Sequence, residues 1–347
     1  MAQPTVVLAQ IGCGYWGPNL LRCFSSHPAC RVKWVAELDA ERRGYVQTNF
    51  PLSAVSASWE EVVSDPEVEA VIIASPAATH HALAKAALLA GKHVLVEKPL
   101  AMSAGAVDEL AALAAARKLV LMAGHTFLYN MAVRYMRELV TSGQVGEVFY
   151  LYTQRLNLGQ VRSDVNAWWN LAPHDVSILI YLLGGERPAS VSVRGVALLQ
   201  PAIEDVAFAV LSWSSGVTAH VHVSWLDPGK VRRVTVVGSR KMVVYDDVRD
   251  DKIAIFDKGI DRVPKLGDRM DFDHFDGYQL LHRTGDVLLP RIAAQEPLRI
   301  EADHFLECIR TGATPLTGPA HARDVVAVLE AGQESLRRKG ESVRLEP

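Results

Sequence analysis

Lys98 lies directly after the apolar run Val94-Leu95-Val96, between an acid and a proline in Glu97-Lys98-Pro99. That places it at the carboxyl edge of a buried parallel strand, where ligands bind in such sheets. A lysine partly withdrawn from water and facing a positive charge loses its proton more readily, and near neutrality it can exchange that proton with a hydroxyl. Pro99 holds Lys98 extended, with a cis bond as the second option. The plain alternative is a surface lysine in a strand-to-helix loop. The other candidate is His174, in the dense run Trp168-Trp169-Asn170-Leu171-Ala172-Pro173-His174-Asp175. Asn170 and His174 are four apart and share a face if the segment is helical, although Pro173 suits only a helix's first turn.

What these side chains would act beside is indicated at the N-terminus. The run Val6–Ile11 leads into Gly12-Cys13-Gly14-Tyr15-Trp16-Gly17, and Glu37 closes the next apolar run. Strand, glycine turn, helix and acid in that order form a dinucleotide-binding unit. The first glycine permits the turn, the second admits a pyrophosphate and the third lets helix and strand close up. A helix beginning near Trp16 aims its N–H groups at the phosphates. Glu37 is placed to accept hydrogen bonds from ribose hydroxyls and to repel a 2′-phosphate, so NAD is expected over NADP. Arg42 and Arg43 follow Glu37 on a helix starting near Asp39 and read as a solvated face. The segment Ser75-Pro76-Ala77-Ala78-Thr79-His80 occupies the same sheet edge and is expected to line the cofactor cleft, with Thr79 as helix cap.

The elements that must position these groups divide in two. Up to about residue 124, short β-rich runs alternate with helical patterns: strands at Val6–Ile11, Val32–Glu37, Ala70–Ala74, His93–Val96 and Val120–Ala123, helices at His80–Ala90 and Ala104–Arg117. This is an α/β domain, a Rossmann doubly wound parallel sheet. Beyond it a helix at Met131–Ser142 precedes strands at Glu147–Arg155, Ala189–Leu198, Val206–Trp213, Val217–Leu226, Arg232–Gly238 and Lys241–Asp246, interrupted by a helix at Val176–Leu183. Successive strands argue a mainly antiparallel sheet, hence an α+β domain, closed by helices at Glu301–Thr311 and Pro319–Lys339. The expected domains are 1–124 and 125–347. The charged stretch Asp246–Asp276 reads as an exposed loop or ragged strand pair.

The net charge of −3 gives no electrostatic reason to expect nucleic acid or an anionic membrane. No apolar run approaches the roughly 20 residues that span a bilayer, and nothing resembles a signal peptide. Cys13, Cys23, Cys30 and Cys308 lack metal or redox spacing and read as free thiols in a reducing cytoplasm. His220 and His222 alternate on one strand without a third ligand, so no metal is expected.

Nearly end to end, the sequence resembles the glucose–fructose oxidoreductase, inositol dehydrogenase and rhizopine catabolism family of NAD(P)-dependent oxidoreductases. The resemblance rests on Gly12–Gly17, Glu37, Pro76 to His80, Glu97-Lys98-Pro99, Gly124-His125-Thr126, His174 and Phe305–Gly312. It implies that Lys98 and His174 act on the substrate hydroxyl that loses hydride to the nicotinamide. It also implies that Gly12, Gly14, Tyr15, Trp16, Gly17, Glu37, Ser75, Pro76, His80, Glu97 and Lys98 surround the cofactor. Where the family often has an aspartate four residues before the histidine, this chain has Asn170, which can hydrogen-bond a hydroxyl but cannot take its proton. The run from Arg155 through Asp175 is similar to the nucleotide-sugar 3-dehydrogenase branch, implying oxidation at C3 of UDP-N-acetylglucosamine. Arg155 and Arg162 would then meet the diphosphate and Trp168 the uracil, with Asn157, Asn170 and His174 nearby. A free polyol such as myo-inositol, or a sensor without chemistry, are the rival readings. The open sheet face of the second domain, with His220 and His222, implies a homodimer or homotetramer.

Overall fold

The computed structural model describes residues 5–264 and 278–346. In the first unit, β1 (Val6–Ile11), β2 (Cys30–Ala36), β3 (Ala54–Ser56), β4 (Ala70–Ile73), β5 (His93–Glu97) and β6 (Leu121–Gly124) form one parallel sheet in the order β3-β2-β1-β4-β5-β6. The order reverses between β1 and β4, which opens the crevice where nucleotides bind in such sheets. The strands alternate with α1 (Gly17–Ser25), α2 (Ala40–Asn49), α3 (Trp59–Ser64), α4 (His80–Leu89) and α5 (Ala104–Ala116). Asp39 and Ser103 cap α2 and α5 through their side chains, each accepting a backbone N–H of the first turn. Gly91 follows α4 in the left-handed region. β3 and α3 are too short to leave a periodic signal.

The second unit contains α6 (Met131–Thr141), β7 (Val148–Leu156), α7 (Ala167–Leu182) and β8 (Ser190–Val196). It continues with β9 (Val206–Ser212), β10 (Thr218–Ser224), β11 (Val231–Gly238), β12 (Met242–Asp246), β13 (Ile253–Pro264) and β14 (Tyr278–Leu288). With β15 (Val343–Arg344) these give a nine-stranded sheet, β14-β13-β12-β11-β7-β10-β9-β8-β15, antiparallel except where β7 meets β10. α7 lies on one face of it, over Ala209, Leu211, Ala219 and Val221, which are buried, while Phe208 and His220 on the other face are exposed. The charged stretch Asp246–Asp276 contributes one strand, β13, which pairs with β14 beyond its end; the part from 265 to 277 lies outside the described residues.

Two readings change. α7 begins at Ala167, not Val176, so the whole tryptophan cluster is helical and Pro173 lies inside the helix. Asn166 caps it by accepting Trp169 N at 3.0 Å, and the near-complete burial of its residues offsets the hydrogen bond that Pro173 cannot donate. Secondly, the compact units are 1–130 with 295–331, and 131–294 with 332–347, where a single boundary at 124 had been expected. The reason is α8 (Pro297–Thr311): its Leu298, Ala302, Phe305, Leu306 and Cys308 share a core with Leu8, Leu20 and Phe24 of the first unit. Phe305 meets Phe24 edge-on at 6.4 Å. The last helix, α9 (Pro319–Arg337), returns Glu330 to cap α5, whose Ala104 N donates to it at 2.7 Å.

Candidate active site

The glycine turn is built by exclusion. Gly12 has φ +90°, and a Cβ there would lie 2.6 Å from Ala74 O; at Gly17 it would lie 2.9 Å from Gly12 O. Buried Gln10, which sequence reasoning passed over, straps the turn by donating Nε2 to Gly12 O and Gly17 O. α1 starts with no side-chain cap; Pro18 has no N–H and Asn19 N donates to Trp16 O at 3.0 Å, so no side chain competes with a ligand at the start of the helix. Glu37 accepts Cys13 N at 2.6 Å and Asp39 N at 3.0 Å through separate oxygens, each of which keeps acceptor capacity for ribose hydroxyls. Arg42 is exposed, as a solvated face requires, but it also reaches the turn: its Nη1 donates to Cys13 O at 3.0 Å, while half-buried Arg43 holds the carbonyls of Glu37 and Leu38. Cys13 is thus clamped at both its N–H and its carbonyl. The Cys13 thiol is buried, and burial pushes its pKa up to about 11, so it is an inert packing group. A turn that excludes a Cβ at Gly12 and Gly17, a helix start without a side-chain cap and a clamped acid fit NAD.

Lys98 follows β5 in the same unit, and its bond to Pro99 is cis. Glu97 beside it accepts Lys98 N at 3.2 Å and a hydrogen bond from Trp16, which joins the lysine turn to the glycine turn. Burial raises the Glu97 pKa to about 7 against the opposing pull of Lys98. His80 is buried with Nδ1 2.7 Å from Pro99 O and Nε2 2.9 Å from Ser75 O, so it braces two loops rather than presenting a ring to the cleft; burial lowers its pKa. Thr79 does not cap α4 with its side chain. Its hydroxyl donates to Pro76 O and pairs with Ser75 Oγ.

Sequence reasoning also passed over Glu301. It is fully buried on α8 and accepts Thr126 Oγ1 at 2.8 Å, and burial, then the charge of Glu97, hold its pKa well above the carboxylate range. The signal was present: Leu298, Glu301, Ala302 and Phe305 fall on one stripe, so the acid faces inward with the apolar residues.

In the second unit, Asn170 and His174 do share a face of α7, both half-buried. Trp225 Nε1 donates to Asn170 Oδ1 at 3.1 Å and so orients the amide. Asp175 faces elsewhere, buried against Arg155, whose Nε donates to it at 2.6 Å. That pair corrects the diphosphate reading of Arg155, which is 5% exposed and neutralises a carboxylate of its own chain. Trp168 is likewise removed from uracil stacking: it is 0% exposed, and a Cβ at Gly332 would lie 2.5 Å from its ring. Arg162 stays half-buried in a bidentate pair with Asp164, and Asn157 lies just beyond β7. His222 stacks on Phe208 at 4.3 Å, and among the described residues no three potential metal ligands converge.

Residues 7–125 match the sequence model of the oxidoreductase family with NAD-binding Rossmann fold, and residues 133–244 match the GFO/IDH/MocA C-terminal domain. The chain belongs to the GFO/IDH/MocA oxidoreductase family. It is therefore an NAD-dependent oxidoreductase acting on CH–OH groups. It is 31% identical over 201 residues to UDP-N-acetylglucosamine 3-dehydrogenase of Acidithiobacillus ferrooxidans, covering 58% of this chain and 62% of that one. It is 25% identical over 335 residues to the NAD(+)-dependent scyllo-inositol 2-dehydrogenase of Bacillus subtilis, covering 93% and 90%. Among solved structures, GenD2 from gentamicin A biosynthesis, in complex with NAD, shares the fold with a TM-score of 0.82 at 22% identity, covering 100% of this chain and 98% of that one. Within the GFO/IDH/MocA family, then, both sugar and polyol enzymes resemble this chain.

Proposed function

We propose that this chain oxidises a secondary hydroxyl of a nucleotide-activated sugar, at C3 of UDP-N-acetylglucosamine. The observation that carries this reading is the 31% identity to an enzyme named for that reaction. Lys98 takes the hydroxyl proton as the carbinol C–H bond breaks. His174 hydrogen-bonds the substrate oxygen, and Asn170, held by Trp225, assists as a hydrogen-bonding group that cannot itself accept the proton. When bound, NAD supplies the hydride acceptor. The glycine turn, Glu37, Ser75, Pro76 and the exposed rings of Tyr15 and Trp16 hold it.

The polyol reading keeps a specific support. Arg155 and Trp168 are committed to the interior, which leaves Arg162 and Asn157 as the diphosphate-side candidates, and the inositol dehydrogenase aligns over nearly the whole chain. NAD reduction with UDP-N-acetylglucosamine, free N-acetylglucosamine and myo-inositol decides between them. If the remote nucleotide contributes binding energy, removing it lowers turnover as well as affinity, and Arg162→Ala weakens only the nucleotide sugar. Comparable rates on inositol or the free sugar, indifferent to Arg162, select the polyol dehydrogenase.

We further propose a homodimer or homotetramer formed through the exposed sheet face that carries Tyr150, Phe208 and His220. No helix among the described residues is long and apolar enough to cross a membrane, and the four cysteines are free, which supports the cytoplasm as the compartment.

A further inference from the structure

Behind Lys98 the first unit buries more polar groups than it pairs. Glu97 Oε1, Glu301 Oε1 and both ring nitrogens of His125 are shielded from solvent without a hydrogen-bond partner. Such groups are costly unless water or a proton-transfer role accounts for them. They are also neighbours. Glu97 stands opposite Gly124 in the β5–β6 register, and a Cβ at Gly124 would lie 3.2 Å from Glu97 Oε1, so the absent side chain makes room for the carboxyl. His125 and Thr126 follow directly. Thr126 donates to Glu301, and the His125 ring meets His321 of α9 edge-on at 5.3 Å. Lys98 shifts the titration of Glu97, His80 and His125 alike, which places its charge within reach of all three.

We propose that Glu97 is the proton relay of this enzyme, taking the proton from the Lys98 ammonium after each alcohol oxidation, with Glu301 and His125 as the buried groups that position it. The inference rests on Lys98 as the group that deprotonates the substrate. In the oxidation, the hydroxyl O–H bond breaks and its proton joins the neutral Lys98 amine, while the C–H pair leaves as hydride to NAD and the carbonyl forms. The ammonium N–H then breaks in favour of a Glu97 carboxylate oxygen, which restores the amine. Glu97 releases the proton to solvent before the next turnover, so the sum is alcohol and NAD⁺ to ketone, NADH and one proton. A relay at this point must switch near neutral pH. The surroundings supply that: burial raises Glu97, Lys98 and the Trp16 hydrogen bond lower it, and the two sum to about 7. Burial and the charge of Glu97 hold Glu301 well above the carboxylate range, and burial holds His125 and His321 below the usual imidazole range, so the groups around Glu97 favour their neutral forms.

The test combines a rate profile with a direct titration of the carboxyl. In the wild type, kcat/KM should fall roughly tenfold per pH unit below the Glu97 midpoint. Glu97→Gln should lose that limb and at least about 10²-fold in turnover while keeping NAD affinity; Glu97→Asp, which restores a carboxyl, should recover the limb. Infrared difference spectra should show one protonated carboxyl titrating near pH 7 in the wild type. That band should be absent from Glu97→Gln and shifted to higher pH in Lys98→Met, which removes the opposing cation. A Glu97→Gln enzyme with normal turnover and an intact acid limb overturns the relay, as does a Glu97 midpoint in the ordinary carboxylate range. An active Lys98→Met enzyme would refute the catalytic assignment itself, whereas an inactive one beside a normal Glu97→Gln refutes the relay alone.

Discussion

Replacing Arg155 by Met separates a substrate ligand from an internal brace. The guanidinium and the Asp175 carboxylate are 5% and 1% exposed, so solvent screens their attraction little, and Asp175 already titrates above the usual range because burial outweighs Arg155. Removing one member of a buried pair costs about 3–5 kcal/mol, because the other is left charged and dry. At roughly 2–4 °C per kcal/mol for a unit of this size, the melting temperature should fall by about 6–20 °C. The loss carries a pH signature. With its folded pKa raised further above an unfolded value of about 3.9, Asp175 makes stability fall as pH rises between those two values. The variant should therefore be most deficient at neutral pH and approach the wild type as pH drops toward 4. Arg155→Met/Asp175→Leu, which removes both charges, should regain most of the stability. Calorimetry and urea titration at several pH values read all three. A fully stable Arg155→Met enzyme with a weakened KM for a nucleotide sugar alone would refute the argument.

Glu37→Ser should weaken NAD and improve NADP in fluorescence titrations, and by more than the ribose contact alone, since it also releases Cys13 N while Arg42 stays beside the turn; an unchanged preference would remove Glu37 from the site. Lys98→Met should lower turnover about 10²–10⁴-fold with NAD binding nearly intact, measured by single-turnover kinetics beside cofactor titration. Gly332→Ala drives a methyl into the ring of Trp168 and should cost about 1–3 kcal/mol by denaturant unfolding; a neutral result would mean that Trp168 is not packed there.

What the sequence made legible is chemistry written in consecutive residues. The glycine turn, Glu37 at a strand end and Lys98 at a sheet edge are defined by local order, and the fold keeps that order. What it concealed depends on partners far along the chain. Arg155 looks like an anion ligand until Asp175 comes to meet it, although its parity with Leu151 and Thr153 on β7 already placed it on the inner face. Glu301 looks like a helix surface acid until α8 turns it inward. Pro173 argued for a helix start because the burial that tolerates it is tertiary. Gln10 and Trp225, which hold the turn and the Asn170 amide, leave no motif at all.

The return of α8 to the first unit also governs how this protein can be made. Phe24 leaves the ribosome early, but its core partner Phe305 is synthesised only after β7 to β14 of the second sheet, a lag of roughly 14–56 s at about 5–20 residues per second. Through that interval the nucleotide-binding half lacks the α8 side chains that complete its core, so the folding of that core finishes late in synthesis. For the same reason, a fragment cut at residue 130 is a nascent-chain mimic rather than an independent module, and expression of the cofactor domain alone requires α8 to be grafted back.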